Sequence, residues 1–131
     1  MHPKSILAGL VLAAAAMAPD LTFARPNDYA FQPVKAEVKK GEDVTIAVRL
    51  IRKATRKPVV GAIVTPTRID MAPEGMAEMA SQATALPTGE PGVYAFKTEL
   101  SMEGRWQFSV EAKVPGEREA VVGKVIFKAT P

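Results

Sequence analysis

Cysteine is absent from the 131 residues, and histidine occurs once, at His2. The missing cysteine excludes disulfides, thiolate nucleophiles, iron–sulfur clusters and Cys-ligated zinc. It excludes a lipid-modified cysteine as well. Loss of the first residues would leave no histidine either, and catalytic triads and His-based metal sites would go with it. Charge of one sign is also scarce. Seventeen Lys and Arg face fourteen Asp and Glu, a net +3. A nucleic-acid binder carries a stronger basic stripe with interleaved aromatics, and the chain has one Trp and two Tyr. What is present is apolar: 47% hydrophobic residues, enough for a core. The length fits one domain. Composition points to a binding or structural module, not an enzyme.

Residues 1–24 read as a secretory signal peptide. Lys4 supplies the positive start, and Ile6 to Met17 is an unbroken apolar run that Asp20 ends. A membrane-spanning helix needs about 20 apolar residues, so this run is short for an anchor. Cleavage after Ala18 would leave Pro19 beside the scissile bond, which disfavours it. Cleavage after Ala24 (Thr22-Phe23-Ala24) leaves Arg25 first and is preferred. The expected mature chain is residues 25–131, periplasmic or secreted, with no transmembrane segment. It loses one Lys and one Asp, so its charge stays at +3.

The mature chain reads as all-β. From Arg105 to Val114 apolar and polar residues alternate, with Trp106, Phe108, Val110, Ala112 and Val114 on one face. Asp43–Ile51 repeats the pattern through Val44, Ile46, Val48 and Leu50. Tyr94–Thr98 and Ala120–Ala129 add two strands, and Val34–Val38 precedes the first turn. Pro33 suits an edge there. Ile63–Ile69 is rich in β-branched residues, with Pro66 marking an edge or bulge. Ala80–Leu86 is the seventh. Turns fall at Lys39–Asp43, Pro87–Gly92 and Pro115-Gly116. Seven short strands at this spacing predict an immunoglobulin-like sandwich, with Trp106, Phe108, Val110, Tyr94, Phe96, Val44, Ile46 and Val48 in one core.

The run Pro91-Gly92-Val93-Tyr94, followed by Ser101-Met102-Glu103-Gly104-Arg105-Trp106-Gln107-Phe108-Ser109-Val110, resembles the YtkA-like/FixH family. The Met-bearing stretch Asp70–Met79 is similar to the middle of that family. The resemblance covers most of residues 30–128. It implies an exported, non-enzymatic β-sandwich domain, with members found beside copper-handling, oxidase-assembly or heavy-metal-efflux machinery. The implied partner is an envelope metal-transport or assembly protein.

Met71, Met76, Met79 and Met102 are the candidate metal ligands. Thioether sulfur is soft, needs no deprotonation and suits Cu(I); no cofactor is expected, Cu(I) being the one candidate. Met also fills irregular gaps in cores, and that reading stands beside the first. If Met76 and Met79 share a helical turn, their spacing puts them on one face. Strand order predicts that all four Met lie at one end of the sandwich with the Lys39–Asp43 turn. The Arg52–Lys57, Pro87–Gly92 and Pro115 loops lie at the other. Arg52–Lys57 carries four cations in six residues. It could meet anionic lipid, cell-wall polymer or an acidic partner, or be a solvated tip that blunts edge pairing. Trp106 and Tyr94 could form a ligand platform, though an inward aromatic is more often core. Asp70, Glu74 and Glu78 lack the oxygen-ligand spacing of an EF-hand and are expected to be solvated. Two functions remain: a Cu(I)-handling accessory, or a metal-free module that docks onto an envelope protein.

Overall fold

Nine strands form among the described residues, which in the computed structural model are 28–131. They are β1 Tyr29–Pro33, β2 Glu37–Lys39, β3 Gly41–Arg52, β4 Ile63–Met71, β5 Met76–Ser81, β6 Ala83–Leu86, β7 Val93–Leu100, β8 Gly104–Lys113 and β9 Val121–Thr130. One sheet has the order β1-β3-β7-β6, the other β2-β9-β8-β4-β5. β2 runs parallel to β9, and the other pairings are antiparallel. This is the immunoglobulin-like sandwich that the alternation predicts, and the chain is all-β. The expected signal peptide, residues 1–24, lies outside the described residues.

The strand count differs from seven for physical reasons. The expected Val34–Val38 strand is a change of sheet. Pro33 ends β1, which pairs with β3, and the chain bends before β2 joins β9. Ala36 accepts a hydrogen bond from the Lys128 N–H at 2.7 Å on the way across. The expected Ala80–Leu86 strand is likewise split at Gln82. Residues before it belong to β5 in one sheet, and residues after it form β6 in the other. The buried Thr98 hydroxyl donates to the Gln82 carbonyl at 2.8 Å and pins this crossing. Pro66 lies at a register shift in β4, as its missing N–H requires.

The inward residues of both sheets form the main core. Ile46, Val48, Ile69, Phe96, Trp106, Phe108, Val110 and Phe127 are its center. Phe96 and Phe108 meet edge to face at 5.1 Å between centroids, and Phe108 meets Phe127 at 6.3 Å. Tyr29, Leu50, Val59, Ala112, Val114 and Val121 close a second cluster at one end. Tyr94, expected in the core, is only half-buried and packs against both clusters.

The two ends are composed as the strand order predicts. Gly41 pairs with Leu100, Gly104 with Ala129 and Met71 with Met76, which gathers the Met-bearing loops at one end. At the other, Tyr29 pairs with Arg52, and Gly92 accepts from the Leu50 N–H.

Candidate functional site

The methionine end is built on a 3-10 turn, Ala72–Glu74, between β4 and β5. Pro73 favours its start, and Gly75 ends it at φ 77°, a left-handed conformation. The turn stops before Met76, so Met76 and Met79 lie on a strand, not on the expected helical turn. Residues three apart on a regular strand would face opposite ways. Here β5 is irregular against β4, because Met71 pairs with Met76 while the adjacent Asp70 pairs with Ala80. The extra residues bulge outward at Ala77 and Glu78, and both Met76 and Met79 turn toward the core.

Met71 is fully buried within the main core. Met71 and Met76 are cross-strand neighbours, and Met79 packs against the same core. Met102 does not join them inside. It sits on the β7–β8 turn, 38% exposed, and its carbonyl accepts a hydrogen bond from Trp106 Nε1 at 3.0 Å.

The carboxylates nearby hold the loop and do not converge. Glu74 accepts from the Arg105 backbone N–H at 2.9 Å and from Arg105 Nε at 3.1 Å. Arg105 Nη2 donates to the Pro73 carbonyl at 2.9 Å. The Arg105 guanidinium and backbone hold the Glu74 carboxyl below its usual range, and Glu74 in turn raises Arg105. Asp70, expected to be solvated, is buried. It accepts from the Ala72 N–H at 2.9 Å and from Arg68 Nε, and Arg68 Nη2 donates to the Ala77 carbonyl at 2.6 Å. Burial pushes Asp70 up. The Ala72 hydrogen bond and the Arg68 guanidinium outweigh it and hold the carboxyl below 3.8. Glu78 is exposed. Among the described residues no three His, Cys, Asp or Glu form a metal-holding group.

The residues of the family-like motifs act as braces. Trp106 is 1% exposed, which removes it as a ligand platform. A Cβ on Gly104, at φ 132°, would lie 2.8 Å from the Met71 methyl, so glycine admits Met71 to the core. A Cβ on Gly92, at φ 80°, would lie 2.4 Å from Pro58 Cβ. Tyr94 Oη donates to the Val59 carbonyl at 2.7 Å and accepts from the Ala62 N–H at 3.1 Å. Gly92 and Tyr94 therefore lock the β3–β4 connection against β7.

That connection also carries the basic segment. Arg52 is anchored: Nη1 donates to Tyr29 Oη at 2.8 Å, and the guanidinium lies 5.0 Å from the ring centroid. Tyr29 donates to Glu117 at 2.6 Å, and burial with this bond raises the phenol's pKa. Lys53, Arg56 and Lys57 are exposed and pair with no carboxylate among the described residues.

Beside them lies a feature that residue-type searching missed: a cleft of about 560 Å³ between the start of β4 and the β6–β7 region. Val60, Ile63, Val64, Leu86 and Tyr94 line it, and Val60 and Ile63 are 61% and 66% exposed. Pro66, which the sequence marks as an edge or bulge, lines the neighbouring depression and did not point to this cleft.

The YtkA-like family model matches residues 23–111. No curated protein matches the chain. Among solved structures, the ZirS C-terminal domain is similar at a TM-score of 0.50 and 12% identity, covering 83% of this chain and 70% of that one. The Lin-41 filamin domain reaches 0.43 and 15%, covering 79% and 92%. At 12% identity the likeness to the ZirS domain is one of fold alone. Among the described residues no helix is long and apolar enough to cross a membrane. The family match takes in both glycine–aromatic motifs, each now with a structural role, and extends over most of the sequence; the chain belongs to the YtkA-like family.

Proposed function

We propose that this chain is an exported, non-enzymatic accessory domain that works by docking onto an envelope protein. One observation carries the reading. The chemistry-bearing side chains are spent on bracing the fold, whereas Val60 and Ile63 stand exposed at an apolar cleft, on a connection whose cations Lys53, Arg56 and Lys57 pair with no carboxylate among the described residues. Large aliphatic side chains exposed together at a concave site fit a partner surface. The test is photo-crosslinking in the native host, with a photoreactive residue at outward positions of both sheets. A discrete adduct from at least one position is expected. Uncrosslinked protein from every position would contradict docking.

A second reading is Cu(I) carriage by Met71, Met76 and Met79. Its support is the pairing of Met71 with Met76 and the bulge that turns Met79 inward. Against it stands the complete burial of Met71 in the packed core. Titration with Cu(I) under thiol-free conditions separates the two. Under the docking reading a strong chelator keeps all the metal. Stoichiometric uptake that varies little with pH near neutrality, as thioether ligands release no proton, would favour copper.

A further inference from the structure

The strand pairing leaves one side of the sandwich open. β8 covers β4 from Ile63 to Asp70, but β5 reaches only Ile69 to Met71 on the opposite edge. Among the described residues that edge has no strand partner from Ile63 to Arg68, and β6 lies near it without pairing. β6, the last strand of the other sheet, pairs with β7 alone. Two depressions follow the bare edge of β4. One is the apolar cleft at Val60–Val64, and the next, about 280 Å³, lies between Pro66–Ile69 and Ser81–Ala83. Six residues of strand span about 20 Å at 3.3 Å each.

Unpaired edges are usually blunted by charge, proline or a bulge. Pro66, its register shift and Arg68 interrupt the far half of this one. The near half begins at Ile63, with Val60 just before the strand, and both are exposed. The cations Lys53, Arg56 and Lys57 enter on the same connection, three residues before Val60 at the closest. Glu90, which also borders the cleft, is neutralised by Arg49 at 3.6 Å. The connection thus brings three cations with no carboxylate partner among the described residues to an apolar slot and an unpaired backbone edge.

We propose that the β4 edge receives an extended, acidic–aliphatic peptide segment of the partner protein, added as a strand beside Ile63–Arg68. Its alternate aliphatic side chains would fill the cleft, and its carboxylates would face Lys53, Arg56 and Lys57. Main-chain pairing supplies affinity in such additions, and the pockets for alternate side chains supply selectivity. The proposal rests on the docking reading and names the surface and the chemistry of its partner.

The test pans a random dodecapeptide library, displayed on phage, against the full chain as exported. Enrichment of peptides combining carboxylates with alternating aliphatic residues is expected. A synthetic copy of an enriched peptide should slow amide exchange along Ile63–Arg68. Its affinity should fall with added salt, and Lys53→Glu with Lys57→Glu should weaken it by about tenfold or more, the scale of lost charge complementarity. Ile63→Glu should weaken it similarly without unfolding the protein. Enriched peptides that protect a different surface, such as the outer face of β9 with Val122 and Ile126, would overturn the β4 site and leave docking standing. No enrichment, together with no crosslinked adduct in the host, would overturn both. Binding to phosphatidylglycerol vesicles through Lys53 and Lys57, with no peptide enriched, would assign the surface to lipid and overturn the peptide proposal.

Discussion

Gly92 and Gly104 make close approaches that side chains would block. Gly92→Ala places a Cβ against Pro58 in a left-handed conformation and should cost about 1–3 kcal/mol, the range for overpacking. Gly104→Ala meets the end of the Met71 side chain and, less closely, the Glu74 side chain, both of which can shift, and should cost less, chiefly through its positive φ. Urea unfolding measures both. Trp106→Ala should cost about 3–5 kcal/mol, because it empties a fully buried site. The alternation around Trp106 made that burial legible from sequence. Asp70 was not legible, because its neighbours in sequence do not reveal that Arg68 folds back over it. Its lowered pKa has a definite consequence. The folded carboxyl ionises more readily than the unfolded one, so the stabilisation is fully present well above 3.8 and is lost as pH falls through that value toward the lower folded one. Glu74, also lowered, acts in the same sense. Asp70→Asn should therefore cost about 1–3 kcal/mol at neutral pH, as for hydrogen bonds that lose their charged acceptor. The difference from the parent should shrink as pH drops below 3.8 in acid-unfolding curves.

Among the elements, the long alternating strands β3, β8 and β9 were readable, since burial on one face writes period two into the chain. β5 and β6 were not. Met76-Ala77-Glu78-Met79-Ala80-Ser81 has little β preference of its own, and pairing with β4 imposes the strand on it. The helical spacing of Met76 and Met79 misled for the same reason: a bulge reproduces on a strand what one helical turn would do. The Glu74–Arg105 clamp holds this element from outside. Arg105→Ala should speed amide exchange across Ala72–Ser81 and leave the core of β8 protected. Global stability should hardly change, because the pair is exposed. Loss of protection throughout β8 would show that the clamp holds more than its loop.

At the scale of the molecule, the sandwich separates two kinds of surface. The methionine end is packed and braced, with Met71 and Trp106 sealed in the core. Among the described residues, the opposite end joins cations without a carboxylate partner to an apolar cleft and an unpaired strand edge. Loop parity was legible, because each strand crosses the full height of the sheet. The open edge was not, because it depends on how far β5 runs along β4, which only the folded register fixes. Ile63 lies at the junction of cleft and edge and is two-thirds solvent-exposed, so its substitution tests function apart from folding. The most direct measurement is the yield of crosslinked adduct in the host from a photoreactive residue at position 60, in the parent and in Ile63→Glu. Docking at this edge predicts a discrete adduct in the parent that is lost in the variant, while the variant's stability stays within about 0.5 kcal/mol, as for a surface substitution. An adduct of equal yield in both, or none in the parent, would contradict the account.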